Sequence, residues 1–238
     1  MPQDHYADEL FRMPHGHFNC NLFWTTGLSP IQGARATEVG AVAINGRKII
    51  KRYQSLINSN THVPSVVTQL TRITNDMVKN APPAKRVMKK LEEFIGTSPL
   101  IAHNANFDQK FLTREFDVAG IKLTPSFACT MLLSRRIFQN MKNYKLGTLA
   151  DLLGLPSTGD LHRALADAEM TAHLYFRICE RMSEEQGLSY TSHDFLRRIQ
   201  KAKYADASRI LTSKGREKTT LARYQAKAYA SKNGHHKM

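Results

Sequence analysis

The apolar residues of this chain form two kinds of run, and each kind predicts a different element. Nearly continuous apolar runs predict buried strands, and they occupy residues 18–24, 39–44, 49–57, 100–102 and 125–129. Asn45-Gly46 separates the second run from the third and is typical of a two-residue hairpin. The first three strands are therefore expected to pair as adjacent antiparallel strands.

Other apolar residues recur with the spacing of an amphipathic helix. They predict helices around residues 63–78, 87–95, 107–112, 131–138, 146–153 and 162–182, with Thr74 expected to cap a short turn near the end of the first. Three strands followed by alternating strands and helices predict an α/β fold. The expected architecture is a mixed five-stranded sheet with helices on its faces.

Positive charge is concentrated towards the C-terminal end of the 238-residue chain. The formal net charge is +14, and twelve Lys or Arg against two acidic residues lie between positions 197 and 238. We expect an N-terminal segment over 1–18, the α/β domain over 19–183 and an extension over 184–238, which this charge makes basic and which is expected to be partly helical. Tyrosines interleaved with the cations favour contact with single-stranded nucleic acid. A solvated tail without a partner is the alternative.

Composition disfavours several classes of protein. The three cysteines lie far apart and form no Cys-x-x-Cys pair, which favours reduced thiols in the cytoplasm. No run of 18 apolar residues occurs, and residues 1–18 lack the basic start and apolar centre of a signal peptide. The sequence therefore predicts a cytoplasmic protein with a polyanionic partner and no membrane contact.

Two segments place a carboxylate five residues after a histidine, beside apolar residues. They are His103 to Asp108 and His162 to Asp167. Two carboxylates brought together by a fold repel each other unless a cation or proton lies between them, and hard oxygen ligands suit Mg²⁺ or Mn²⁺. Phosphodiester hydrolysis uses such a site, with an imidazole that removes a proton from water. We assign Asp108 and Asp167 as catalytic metal ligands and His162 as the general base.

These two segments are similar to the second and third motifs of the DEDDh-type 3′-to-5′ exonucleases, the family of the proofreading subunit of bacterial DNA polymerase III. The resemblance covers about residues 19–182 and includes Thr25-Thr26-Gly27, where the first motif should end. It implies a ribonuclease H-like fold, a site for two Mg²⁺ or Mn²⁺ ions, and a nucleic-acid 3′ end as substrate, DNA rather than RNA. A polymerase or other nucleoprotein is a candidate partner. The residues expected to contact nucleic acid are Thr25, Thr26, Gly27, His103, Asn104 and Phe107.

The first motif departs from the family pattern, which reads Asp-x-Glu-Thr-Thr-Gly. This chain has Leu22 and Trp24 in place of the two acids. Loss of a group that only supports a metal ligand costs roughly 10 to 100-fold in affinity or activity, so loss of two ligands should cost more. We therefore expect impaired catalysis. Glu38 is the candidate replacement for a missing acid.

The same residues have structural interpretations. Thr25 to Gly27 can form a simple turn, His103 and Asn104 can satisfy backbone groups at a strand exit, and Phe107 can belong to the core. Two hypotheses therefore stay open. One is an impaired 3′-to-5′ exonuclease acting on single-stranded or frayed ends, and the other is an inactive exonuclease fold that binds nucleic acid or protein.

Overall fold

A computed structural model describes residues 17–122, 124–156, 163–186 and 192–212. Five strands form one sheet in the order β3-β2-β1-β4-β5. The strands are β1 (His17–Thr25), β2 (Ala36–Asn45), β3 (Lys48–Leu56), β4 (Leu100–Ala102) and β5 (Phe127–Cys129). The α/β class predicted from the sequence is confirmed.

Strand direction changes at the centre of the sheet. β1 pairs antiparallel with β2 on one side and parallel with β4 on the other, and β4 pairs parallel with β5. The β2–β3 hairpin turns at Asn45-Gly46, where Gly46 has a φ of 59°. Strand β1 therefore lies in the middle, and the carboxyl ends of β1 and β4 point to the same edge of the sheet.

Helices cover both faces of the sheet. They are α1 (Ser65–Thr71), α2 (Asn75–Lys79), α3 (Ala84–Ile95), α4 (Ala105–Ala119), α5 (Thr130–Ile137), α6 (Leu146–Leu153), α7 (Ala164–Gln186) and α8 (His193–Lys201). Residues 204–212 are also helical. The helical run at 63–78 divides because Arg72 adopts a left-handed conformation, and Thr74 caps α2 as predicted by accepting the Met77 N–H at 3.2 Å.

Two apolar clusters lie on the opposite faces of the sheet. One cluster joins β1 and β2 to helices α5 to α8, and the other joins the sheet to α3 and α4. Residues 193–211, which the sequence analysis assigns to the extension, bury Phe195, Leu196 and Ile199 in the first cluster. Their side chains also bond to the sheet, since the Gln200 Oε1 accepts the Cys129 N–H at 2.6 Å. The start of the extension is therefore part of the core.

None of the helices in the described parts of the chain is both long enough and apolar enough to cross a bilayer. The remainder of the extension, 213–238, lies outside the described residues.

Candidate active site

The end of β1 and the start of α4 are joined by a hydrogen bond. The Phe23 N–H donates to Asp108 Oδ1 at 3.0 Å, across 85 residues of sequence. Asp108 lies in the first turn of α4, directly after the exit from β4, and its side chain is 1% exposed. The candidate metal ligand of the second motif therefore also ties its helix to the central strand.

Burial dominates the electrostatics of Asp108. It raises the pKa of this carboxyl well above its ordinary value, although the hydrogen bond from the Phe23 N–H opposes the shift. The second oxygen, Oδ2, is buried and has no hydrogen-bond partner among the described residues. A carboxyl in this setting favours its neutral form unless a cation lies beside it.

The start of α7 rests directly on β2 at Gly40. A Cβ atom at Gly40 would lie 2.2 Å from both the Ala164 carbonyl carbon and the Leu165 nitrogen. Only glycine permits backbone and helix to approach so closely. The sequence pattern that marks Gly40 as one residue of an apolar strand does not reveal this contact.

A buried carboxylate fixes the same helix start. Glu38 is fully buried, and its Oε1 accepts a hydrogen bond from Arg163 Nη2 at 2.6 Å while its Oε2 accepts the Ala164 N–H at 3.0 Å. Gln54 Nε2 donates to Oε1 at 2.9 Å. Glu38 therefore anchors α7, and this use of both oxygens disfavours Glu38 as a replacement for a missing acid.

The strand register brings the three motifs to one place. Leu22 is paired with Gly40 and Trp24 with Glu38, the two residues that hold the start of α7, while Phe23 between them contacts Asp108. Asp167 lies one turn into α7, half-buried, with its N–H donating to the Arg163 carbonyl at 3.1 Å. The predicted base, His162, lies outside the described residues.

The carboxylates at this place are fewer than the family pattern expects. With leucine and tryptophan at positions 22 and 24, Asp108 and Asp167 are the two carboxylates left from the four of the family pattern. In the described ranges, which omit His162, no three His, Cys, Asp or Glu side chains are grouped so that they could hold a metal ion. The orphaned Asp108 Oδ2 is the one buried oxygen of the pair without a partner in those ranges.

The loop after β1 is closed by its own threonines. Thr25 Oγ1 donates to the Gly27 carbonyl at 2.6 Å, and the Thr26 N–H donates to the Arg35 carbonyl at 2.8 Å. The Arg35 N–H donates a hydrogen bond to Thr26 Oγ1 at 2.9 Å. Both threonines are buried, so their side chains close the loop, as the turn interpretation expects. Contact of Gly27 and its neighbours with nucleic acid stays a prediction.

An ion pair ties this loop to α4. The Arg35 guanidinium donates two hydrogen bonds of 2.8 Å to Glu115, whose Oε1 also accepts the Ala36 N–H at 3.0 Å. Glu115 raises the pKa of Arg35 through the hydrogen bond. Sequence reasoning missed this pair. The available signal was the position of Glu115 on the apolar face of α4, four residues after Phe111, since a buried acid there requires a partner.

His103, at the exit of β4, uses both ring nitrogens inside the fold. Nε2 donates to the Tyr144 carbonyl at 2.9 Å, and Nδ1 lies 3.0 Å from the Thr130 hydroxyl. Burial lowers the pKa of His103 to about 4, so the ring is neutral near pH 7 and Nδ1 accepts from Thr130. This geometry favours a role in positioning the strand exit.

Asn104 and Phe107 follow His103 at the start of α4. Asn104 is exposed and adopts a left-handed conformation with a φ of 65°, a backbone state that non-glycine residues adopt where the surrounding fold requires it. Phe107 is half-buried, and its ring centroid lies 4.8 Å from that of Phe111. Phe107 therefore packs partly with the core and keeps one portion of its ring accessible.

Comparison with known proteins gives one family and several relatives. The family model described as Exonuclease matches residues 24–175. A PolC-type DNA polymerase III of Caldanaerobacter subterraneus is 38% identical over 160 residues, which are 67% of this chain and 11% of that protein. The 3′-5′ exonuclease DinG of Bacillus subtilis is 33% identical over 188 residues, 79% of this chain and 20% of that protein. The chain thus spans about a tenth to a fifth of these relatives.

A third relative is similar over most of its own length. The DNA polymerase III subunit epsilon of Aquifex aeolicus is 28% identical over 177 residues, which are 73% of this chain and 85% of that protein.

Solved structures share the fold. Exonuclease X in complex with 5′ overhanging duplex DNA has a TM-score of 0.57 at 25% identity, covering 68% of this chain and 91% of that one. The nuclease domain of 3′hExo, a DEDDh family member bound to rAMP, has a TM-score of 0.59 at 22% identity, covering 71% and 94%. The ribonuclease H-like architecture predicted from the sequence is therefore confirmed.

Proposed function

Because this chain belongs to the exonuclease family and is homologous to the 3′-5′ exonucleases of DNA polymerase III and DinG, we propose that it binds single-stranded or frayed 3′ ends and hydrolyses them with impaired activity. Exonucleases of the DEDDh type generally use divalent metal ions. The observation that carries the impairment is the register of β1, which puts Leu22 and Trp24 beside Gly40 and Glu38 at the meeting point of the motifs.

Among the described residues, no group of three His, Cys, Asp or Glu side chains replaces the two lost acids. Leucine and indole side chains do not ligate hard cations. Glu38 is held by Arg163 and the Ala164 N–H. Asp108 and Asp167 would hold whatever Mg²⁺ or Mn²⁺ binds, and His162 would activate water. These three roles come from the family resemblance and remain predictions.

The proposed substrate is a DNA strand with a free 3′ end. The PolC-type and epsilon relatives are named as DNA polymerase III components, and exonuclease X was solved with DNA. A polymerase or other nucleoprotein is the proposed host. The cations of the C-terminal extension support this choice because they would attract any polyanion.

A second candidate is a binding module without turnover. It is favoured by the anchoring of Glu38, which holds the start of α7 through Arg163 and the Ala164 N–H. In this case the fold would retain strand binding while the chemistry is lost.

A strand-digestion assay with a restored first motif tests the proposal. The full chain is incubated with a 5′-labelled single strand in Mg²⁺ or Mn²⁺ and compared with Leu22→Asp/Trp24→Glu. Leu22→Asn/Trp24→Gln is the matched control, because it makes changes of the same size without adding carboxylates. We expect the wild type to bind the strand and shorten it at least about 100-fold more slowly than the acidic variant, while the control gains nothing.

The alternatives give other results. Wild-type digestion as fast as that of the acidic variant contradicts the impairment. A folded acidic variant that binds the strand but never shortens it favours the binding module and shows that the first motif is misplaced. Failure of the wild type to bind DNA or RNA strands of any length rejects both candidates.

A further inference from the structure

We propose that the groove between the 3₁₀ turn Pro30–Gln32 and the outer face of α4 guides the nucleic-acid strand as it leaves the 3′-end site. We call it the α4 groove, defined by Pro30, Ile31, Asn106, Lys110, Arg114 and Asp117 among its lining residues. This inference rests on the proposed function and adds to it the path of the single strand beyond the terminal nucleotide.

The size of the α4 groove suits a polymeric ligand at the surface. Its volume is about 670 Å³, within the range of clefts that hold ligands, and it is open along one side. Asn106, Lys110 and Arg114 are all exposed on successive turns of the same helix. From Asn106 to Arg114 the helix rises about 12 Å, enough to follow more than one nucleotide.

Two of the three charged residues that define the groove are cations, which fits a phosphate backbone, and the third is Asp117. Lys110 and Arg114 are four residues apart, so they lie about 6 Å apart along the helix axis, on one face. Within the ranges that the structure describes, no carboxylate forms an ion pair with either of them. Like charges at this spacing destabilise a helix, and a bound polyanion would relieve that repulsion.

An apolar side chain faces the cations from the other wall. Ile31 is 92% exposed, although its loop is held in place by the bonds between Thr26 and Arg35 and by the Arg35–Glu115 pair. Leu28, three residues earlier in the same loop, is 88% exposed, and exposed apolar side chains grouped on an anchored loop are typical of an interaction site. The flat face of a base can pack on Ile31 while its phosphate contacts Lys110 or Arg114.

The α4 groove is continuous with the candidate active site. Asn106 precedes Asp108 by two residues in the first turn of α4, and Pro30 follows the loop that begins at Thr25. A strand whose 3′ end lies at the start of α4 therefore reaches Lys110 and Arg114 one and two turns further along. Single-stranded nucleic acid, with alternating bases and phosphates, matches a groove with one apolar wall and one cationic wall.

Binding measurements on the full chain test this inference. Fluorescein-labelled oligo-dT of four and sixteen nucleotides is titrated by anisotropy between 0.05 and 0.5 M NaCl. Lys110→Glu/Arg114→Glu is compared with Lys89→Glu/Lys90→Glu on the exposed side of α3, a control with the same change in net charge. Lys110→Gln/Arg114→Gln provides a milder variant in case the charge reversal unfolds the protein, and thermal unfolding checks both.

We expect the Lys110/Arg114 variants to bind the sixteen-mer about 20-fold more weakly near 0.1 M salt, with a salt slope smaller by about 1.4. The Lys89/Lys90 control should lose much less. Equal effects of the two pairs, with wild-type binding intact and dependent on a free 3′ end, overturn the α4 groove and leave the proposed function standing. Absence of strand binding by the wild type rejects the proposed function and the groove together.

Discussion

The starts of α4 and α7 deliver the two candidate carboxylates, and they are held in different ways. At α4, Asp108 itself makes the tether between helix and sheet, since its Oδ1 accepts the Phe23 N–H of β1. At α7, a separate pair of side chains, Glu38 and Arg163, makes the tether, and Asp167 lies a turn beyond it. Asp108 thus holds its own helix to the sheet, whereas the hydrogen bonds described at the start of α7 are made by other side chains.

This difference separates the residues that stabilise the fold from the residues that would act in catalysis. Gly40, Glu38 and Arg163 seat the start of α7, and these contacts do not use the candidate ligand Asp167. Asp108 has a structural reason to persist whether or not a cation binds, since its loss would leave a buried backbone N–H of β1 without a partner. The presence of Asp108 in a sequence is therefore weak evidence for activity.

The largest expected effect is that of Gly40→Ala. The added Cβ would lie 2.2 Å from backbone atoms of α7, which cannot rotate away as a side chain would. We expect a loss of about 4 kcal/mol in the free energy of unfolding, above the usual range for overpacking. Urea denaturation measures it, with Gly147→Ala as control because nothing lies within 4 Å of a Cβ there. Equal stability of the two variants would show that α7 is not seated on β2.

Glu38→Gln tests the charged tether of α7. It removes the buried partner of Arg163, and we expect a loss of about 3 kcal/mol in the free energy of unfolding. Glu180→Gln breaks an exposed pair with Arg47 and should cost less than about 1 kcal/mol. Chemical denaturation compares the two, and a Glu38→Gln variant as stable as Glu180→Gln contradicts the anchor.

Asp108→Ala and Asp167→Ala compare the two carboxylates directly. Asp108→Ala leaves the Phe23 N–H buried without an acceptor, so we expect a loss of about 2 kcal/mol. Asp167→Ala lies at a half-buried position and should cost about 0.5 kcal/mol. The measurement is again the free energy of unfolding. A reversed order of the two losses would mean that the tether lies at Asp167.

Acid should reduce the stability that burial of neutral His103 provides at the exit of β4, while Asp108, whose pKa is raised by burial, changes stability in the opposite direction. The folded state holds the pKa of His103 at about 4, whereas the unfolded chain has the ordinary value of 6.5. Below pH 6.5 the unfolded chain takes up a proton that folded His103 does not, so the contribution of His103 to stability falls with decreasing pH until about 4. From pH 7 to 5.5 we expect this contribution to fall by about 1 kcal/mol.

Hydrogen exchange at pH 7 and 5.5, corrected for intrinsic rates, measures this effect at both helix starts. The amides of residues 105–109 should lose protection, and those of 164–168 should change less. His103→Gln is the control, because it has no imidazole to titrate and should remove this loss of protection at 105–109. Persistence of the loss in the variant would assign it to another group.

Much of the fold could be predicted from the local pattern of apolar and polar residues. The apolar runs predicted all five strands to within a few residues, and Asn45-Gly46 predicted the β2–β3 hairpin. The periodicity of strands and helices depends on residues that are close together in the sequence, so it can be predicted from the sequence alone. The family resemblance placed residues 184–238 outside the domain, because the minimal exonuclease domain has no counterpart of them, yet Phe195, Leu196 and Ile199 are buried.

Only part of the candidate site could be predicted from the sequence. Motif spacing identified Asp108, Asp167 and the altered positions 22 and 24. It does not show whether such a residue holds a helix to the sheet or binds a metal ion. The ion pairs Arg35–Glu115 and Arg163–Glu38 each join residues at least 80 positions apart. No local pattern specifies which buried acid meets which arginine.

By itself the sequence determined the strands, the helices, the loss of two carboxylates and the excess of positive charge. The tertiary structure decided which polar groups share a buried space. In the folded chain, Glu38 anchors α7 and Asp108 accepts a hydrogen bond from a strand amide. Lys110 and Arg114 line the same groove as Ile31. The reason is physical: the energy of a buried charge or hydrogen bond depends on partners that chain folding brings from remote positions.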